Sequence, residues 1–386
     1  MELLQEWHKR KGNAATIQVL MEALQEAELQ LVVDSLKEKY PELNEKPNSF
    51  KQLLTAKQPM EGACGRQQKN PVQTMSDKQS MDKPTAFNTG QVKQSVVQPK
   101  RKDTKVRPIR VGQPWVRKVR FGRYGSGRGK FNRPLGVAVS QDNEVYIADK
   151  GNTRIQVFTM DGVYIREFTT TLPGETGETL EPCDVAVDRN DNLWVVCEKH
   201  VVQYSREGTC LVTIDLPHVG YMCGITVSMA TEQVIVTEFD GQNGRLRVFN
   251  QDGSEVGTYG AGHRSPEPWW PRYVTVDGEG NILVTDGKNH CIHVLDREGN
   301  FKFKFGSEGS DESQFKYPRG ICVDGKGNII VADGRNGCVK MFDSQGRFLC
   351  YIGSGMKVPW AVTVSPGGDV VVTHWKDHTV SVWTQD

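Results

Sequence analysis

The chain has 386 residues, 37% hydrophobic and 25% charged, with a formal net charge of +1. That length leaves room for two or three domains, and the composition is ordinary for a soluble protein, with no stretch reading as a membrane span. The opening MELLQEWHKRKG carries charge throughout and lacks an apolar run with a small-residue cleavage site, so no signal peptide is read and a cytoplasmic location is expected.

Residues 1–43 have a helical pattern. A first helix ends at Gly12, a helix C-terminal signal; Thr16 is a candidate N-cap for a second, which places Ile17, Leu20 and Leu24 on one face. A third, over residues 29–40, carries Val32, Val33 and Leu36 before Pro41 stops it. The run LLQEWHKRKGNAATIQVLMEALQEAEL followed by VVDSL resembles the last three helices of a death domain, a bundle that has six. The resemblance implies a partial domain, either truncated at Met1 or a remnant, whose partner would be another helical bundle. Three short helices bury too little to be secure alone.

Residues 44–113 are rich in Gln, Lys, Pro, Ser and Thr with few aromatics, the composition of a disordered linker. Its basic end, PKRKDTKVRPIR, reads either as a solvated charge run or as a nuclear-localisation or nucleic-acid patch, which leaves a nuclear location open. Between Lys93 and Arg133 fourteen Lys/Arg face one acid, Asp103, a local net charge of +13 that leaves −12 for the rest. Cys64 is alone in this polar stretch, so no paired zinc-type spacing is present; the other eight cysteines fall singly in apolar strands and corners and read as small buried residues.

From Phe121 onward one phrase recurs six times: a lead-in residue, an apolar strand, an acidic turn, a second apolar strand and an Asn/Arg-containing corner. Three copies are clear: PLGVAVSQDNEVYIADKGNTRIQVFTMDG from Pro134, PRYVTVDGEGNILVTDGKNHCIHVLDREG from Pro271, and PRGICVDGKGNIIVADGRNGCVKMFDSQG from Pro318. Weaker ones start at Pro182, Met222 and Pro359. Equivalent positions, Gly136, Asp184, Gly224, Tyr273, Gly320 and Ala361, recur at steps of 48, 40, 49, 47 and 41 residues, one supersecondary unit each. Val137, Val139, Val145, Ile147, Ile155 and Val157 alternate with smaller or polar residues, the period of half-buried strands. With VYIREF and FKFKFG as fourth strands, each unit is a four-stranded antiparallel sheet that must stack radially, giving an all-β, six-bladed propeller over residues 114–386. The sixth copy lacks an outermost strand, and WVRKVRF, Trp115–Phe121, alternates correctly to supply it and close the ring.

The corner strings DKGNTRIQVF, DGKNHCIHVL and DGRNGCVKMF resemble the NHL repeat, and the count of six matches the propellers of TRIM-NHL proteins. The RING and B-box modules of those proteins have no counterpart here, so intrinsic ubiquitin-ligase chemistry is not expected and any role in that pathway is one the resemblance implies. It further implies a recognition face where the corners meet the starts of the innermost strands. On that face the expected residues are Leu135, Lys150, Arg245, Arg272, Lys288, His290, Arg319, Arg335, Trp360, Lys376 and His378, with Trp269, Trp270, Phe315 and Tyr317 from the lead-in loops. Cations interleaved with rings suit single-stranded RNA, yet Arg and Trp are equally the residues of protein hot spots.

Two units break the pattern. The second has a shortened corner, CEKHVVQY, and the third puts Glu238 and Asp240 where cations would help RNA, which favours a protein ligand. Asp149, Glu238, Asp286 and Asp333, with His374, form an acidic ring that in lyase-type propellers would hold a metal for hydrolase or lyase chemistry; here each acid starts a D-x-x-N-like corner, and local backbone acceptance is the expected role. No cofactor, metal or catalytic arrangement is expected. The reading is a non-enzymatic adaptor binding a protein partner, as a substrate receptor in ubiquitin or death-domain signalling. The alternative is sequence-selective RNA binding on the same face.

Overall fold

The protein is described by a computed structural model over residues 114–173, 178–216, 224–240, 244–260 and 269–385. The helices expected over 1–43 and the linker expected over 44–113 lie outside the described residues.

Six four-stranded antiparallel sheets form the blades of a propeller. Their innermost strands are Pro134–Val139, Pro182–Val187, Ile225–Val227, Pro271–Val276, Pro318–Val323 and Pro359–Val364, which begin blades 1 to 6. Each of the first five blades runs from inside to outside in chain order. Blade 6 is completed from upstream: Trp115–Phe121 pairs antiparallel with Thr379–Gln385, Trp115 opposite Gln385 and Phe121 opposite Val380. The closure expected from the missing sixth outer strand is therefore present.

The acidic turns make the repeat local. Asp188 Oδ1 accepts the N–H groups of Asn190 and Asn192 at 2.8 and 2.9 Å. Asp277 receives those of Glu279 and Asn281, and Asp324 those of Lys326 and Asn328, at 2.8–2.9 Å. A side-chain acceptor two and four residues back closes the hairpin without tertiary help.

The core lies between blades. One cluster joins Tyr146, Ile155 and Val157 of blade 1 to Leu193, Val195 and Tyr204 of blade 2; another joins Trp115 of the closing strand to Ile330, Met341 and Ile352 of blade 5 and Val370 of blade 6. Either face of a twisted sheet is buried only by its neighbour, so the ring is the folding unit. The innermost strands crowd the axis. A Cβ on Gly224 would lie 2.6 Å from Tyr273 Cα, and one on Gly320 the same distance from Ala361 Cα, closer than real contacts allow. A cavity of about 180 Å³ remains in the channel, lined by Asp184, Val187, Val227, Tyr273 and Thr363 among others. No helix of the described residues is long and apolar enough to cross a membrane.

Candidate recognition face

The corner between second and third strands meets the loop leading into the innermost strand, as the repeat implies. Gly151 N–H donates to Asn132 O at 2.8 Å, Gly287 to Trp270 O at 3.1 Å, Arg335 to Lys316 O at 3.0 Å and Trp375 to Val358 O at 3.3 Å. The acid that opens the corner fastens the same loop: Asp149 and Asp333 accept the N–H groups of Asn132 and Lys316 at 2.7 and 2.8 Å. Asn152, Asn289 and Asn336 donate back to Asp149, Asp286 and Asp333 at 2.8–2.9 Å. That is why Asn recurs three places after the acid.

His290 and His378 tie neighbouring blades together. Each has a left-handed backbone, φ 57° and 53°, and each Nδ1 accepts an N–H at 3.0 Å, from Tyr317 and from Arg133 respectively. Burial lowers both imidazoles from their ordinary pKa, in keeping with acceptor nitrogens that carry no proton. His290 thus braces the face from below.

The expected cations fall into two groups. Lys150 is 8% exposed and ion-paired with Glu181 at 3.0 Å and Glu198 at 3.8 Å, both from blade 2. Arg245 is bonded to Glu238 and lies 4.0 Å from Asp240. In blades 1 and 3 the cations are therefore neutralised by acids. Leu135 is buried, its carbonyl accepting from the Thr373 hydroxyl at 2.6 Å.

Blades 4 to 6 set cations against rings. Lys288 Nζ stands 4.2 Å from the centre of the Trp270 ring, Arg335 4.5 Å from that of Tyr317, and Arg319 3.6 Å from that of Trp360. Phe239 stacks on Trp270 at 4.1 Å, and Trp375 packs against Trp360 at 5.6 Å. Burial, then the charge of nearby Arg272, lowers the Arg319 guanidinium from its ordinary value. Lys288, Arg335 and Lys376 are exposed, Arg272 and Tyr317 half-buried, and Trp360 is 2% exposed. Trp269 and Phe315 lie in the core.

Sequence reasoning passed over four residues of this sector. Gly287 and Gly334 follow the corner acids of blades 4 and 5, and a Cβ on Gly287 would lie 2.8 Å from Arg272 Cγ, one on Gly334 2.6 Å from Arg319 Nε. The glycines let the two arginines cross the corners. The pairing of P-R with D-G, in just those two units, was the available signal. Phe239 had none, since its ring partner Trp270 comes from the loop leading into the next blade, and Trp375 packs on Trp360 of its own blade's inner strand.

The acidic ring is occupied by its own blades. Asp149 accepts from Asn132, Asn152, Arg154 and Gln156, and Asp333 lies 3.0 Å from Lys340 Nζ. His374 Nε2 is 2.7 Å from Ser381 Oγ, with burial and the nearby Arg120 charge holding its pKa down to about 4. For Asp286, burial raises the carboxyl, but bonds from His293 and Asn289 leave it below its ordinary value.

The comparisons with known proteins agree with this fold. A family model described as NHL repeat matches residues 131–158, 269–295 and 315–342, which are blades 1, 4 and 5, and one described as Death domain matches residues 1–40. The chain is 29% identical over 198 residues to Protein brain tumor of Drosophila melanogaster, covering 50% of this chain and 14% of that protein. It is 30% identical over 206 residues to human E3 ubiquitin-protein ligase TRIM32, covering 50% and 30%. The matches thus span under a third of these relatives. Among solved structures, virginiamycin B lyase from Staphylococcus aureus shares the fold at 16% identity and a TM-score of 0.50, over 66% of this chain and 96% of that one. A protein of unknown function from Bacteroides thetaiotaomicron does so at 14% and 0.54, over 72% and 77%.

Proposed function

We propose that this chain, which carries NHL repeats in a six-bladed propeller, is a non-enzymatic recognition module that binds an acidic segment of a protein partner on blades 4 to 6. The observation that carries the reading is the set of three cation–ring stacks, Lys288 on Trp270, Arg335 on Tyr317 and Arg319 on Trp360. A guanidinium or ammonium held on a ring is already ordered, so a partner carboxylate meets it at little entropic cost. Arg, Trp and Tyr so arranged are the usual residues of protein hot spots.

Stacking of bases needs open ring faces. Here Trp270 lies between Phe239 and Lys288, and Trp360 is covered by Arg319 and Trp375. Those contacts favour a protein ligand over single-stranded RNA. The Death domain match and the likeness to TRIM32 support an adaptor or substrate-receptor role in ubiquitin or death-domain signalling.

Quantitative pulldown from lysate, with and without ribonuclease, tests the reading. Partner capture should survive ribonuclease and fall about tenfold in the folded double variant Lys288→Glu, Arg335→Glu, roughly 0.7 kcal/mol for each charge reversed. Capture abolished by ribonuclease, or untouched by the double variant, would sink it.

A further inference from the structure

We propose that blade 4 holds a zinc ion between Asp286, Cys291 and His293. Asp286 ends the strand Ile282–Asp286, and Cys291 and His293 lie on Cys291–Leu295, the next one. Asp286 pairs directly with Cys291 across the ladder, and His293 lies two residues further along. The two-residue period of a strand turns Cys291 and His293 to the same side.

Two of the donor spacings are those of a coordination shell. His293 Nε2 lies 3.4 Å from Cys291 Sγ and 3.3 Å from Asp286 Oδ2, and the three donor atoms all fall within 4.8 Å of one another. Zinc bonds of about 2.3 Å to sulfur and about 2.0–2.1 Å to nitrogen and oxygen, at tetrahedral angles, set donor separations of about 3.3–3.6 Å. Both close contacts converge on one nitrogen, and a neutral imidazole nitrogen can donate a single proton. One metal on Nε2 satisfies both neighbours.

Comparison of equivalent positions shows why this blade differs. In blade 1 the buried corner acid Asp149 is bonded by Arg154 at 2.9 Å; in blade 3 Glu238 is bonded by Arg245; in blade 5 Asp333 lies 3.0 Å from Lys340. Those partners are Arg and Lys side chains. Blade 4 puts Cys291 where blade 1 has Arg154, and His293 where blade 5 has Lys340. Asp286, 0% exposed, thus faces a thiol and an imidazole in place of a fixed charge. A divalent ion with one carboxylate and one thiolate restores the neutral balance that Lys340 gives Asp333. Binding releases the thiol proton of Cys291 to solvent, His293 coordinates through Nε2 as the neutral tautomer that keeps its proton on Nδ1, and water completes the shell.

The surroundings hold the ligands in place. Asn289 orients Asp286 through its backbone N–H at 3.1 Å and its amide at 2.9 Å, and the Trp269 ring packs edge-on against His293 at 5.5 Å. Cys291 and His293 are 3% and 9% exposed.

The test uses the full chain with Co²⁺ and Zn²⁺ alone as probes. One equivalent of Co²⁺ should give the near-ultraviolet charge-transfer absorption of a Co–thiolate bond, and Zn²⁺ should displace it. Cys291→Ser should lose that absorption. His293→Lys, which installs the ammonium used in blade 5, should stay folded by circular dichroism and bind at least tenfold more weakly. Chelation should lower the melting temperature of the wild type and leave that of His293→Lys unchanged. The proposal is overturned if no thiolate band forms, or if the band persists in the folded His293→Lys variant.

Discussion

Asp184 stands where the other innermost strands carry Gly136, Gly224, Tyr273, Gly320 and Ala361, and its carboxyl lines the channel. Its Oδ2 accepts the Ile225 N–H at 3.0 Å, tying blade 2 to blade 3. Burial pushes its pKa up to about 8, against the pull of backbone bonds from Ile225 and Val185. Unfolded, the group titrates near 4. Between those values the folded state holds a proton that the unfolded state has released, so stability falls as pH rises through about 4 to 8 and levels off above. Asp184→Asn keeps the acceptor and removes the ionisation. Urea unfolding of both proteins at pH 5 and pH 8 should show the wild type losing on the order of a few kcal/mol more than the variant. Parallel profiles would refute this assignment.

At the scale of elements, the closing strand Trp115–Phe121 does more than complete a ladder. Trp115 is 9% exposed and belongs to the apolar cluster that joins blades 5 and 6, so removal of the strand opens that seam. Deletion of residues 115–121 should lower the melting temperature by at least about 10 °C, given that ~1 kcal/mol moves a domain of this size by a few degrees. An unchanged melting curve by circular dichroism would contradict that role. This strand was legible in the sequence, because a sixth repeat one strand short leaves a vacancy that only an alternating segment can fill. The corner residues were legible in part. Asn152, Asn289 and Asn336 are set by contacts within a single hairpin, whereas the bracing by His290 depends on the Tyr317 amide of the next blade.

Over the whole molecule, charge is distributed by blade. Lys150 and Arg245 face Glu181, Glu198, Glu238 and Asp240, while Lys288, Arg319 and Arg335 lie against rings on blades 4 to 6, the sector proposed to bind the partner. Partner binding should therefore weaken as salt rises from about 0.05 to 0.5 M, since the Debye length shortens from roughly 14 Å to 4 Å. Measured by titration of the captured partner, that salt dependence should shrink in Lys288→Glu, Arg335→Glu. It should persist in Lys326→Glu, whose charge sits on the turn at the other end of blade 5. Equal salt dependence in all three proteins would rule out electrostatic capture by this sector.

The amino-acid sequence by itself determined the six four-stranded units, their turns and the strand that closes the ring. Strand alternation and side-chain acceptors in tight turns act over a few residues, so they can be read along the chain. Tertiary structure alone decided which cations meet acids and which meet rings. Lys150 of blade 1 meets acids of blade 2, and Arg319 of blade 5 meets the Trp360 ring of blade 6. Such partners become neighbours only when adjacent blades pack and the ring closes, because the field at a side chain is set by what lies within a few ångströms, whatever its distance along the chain.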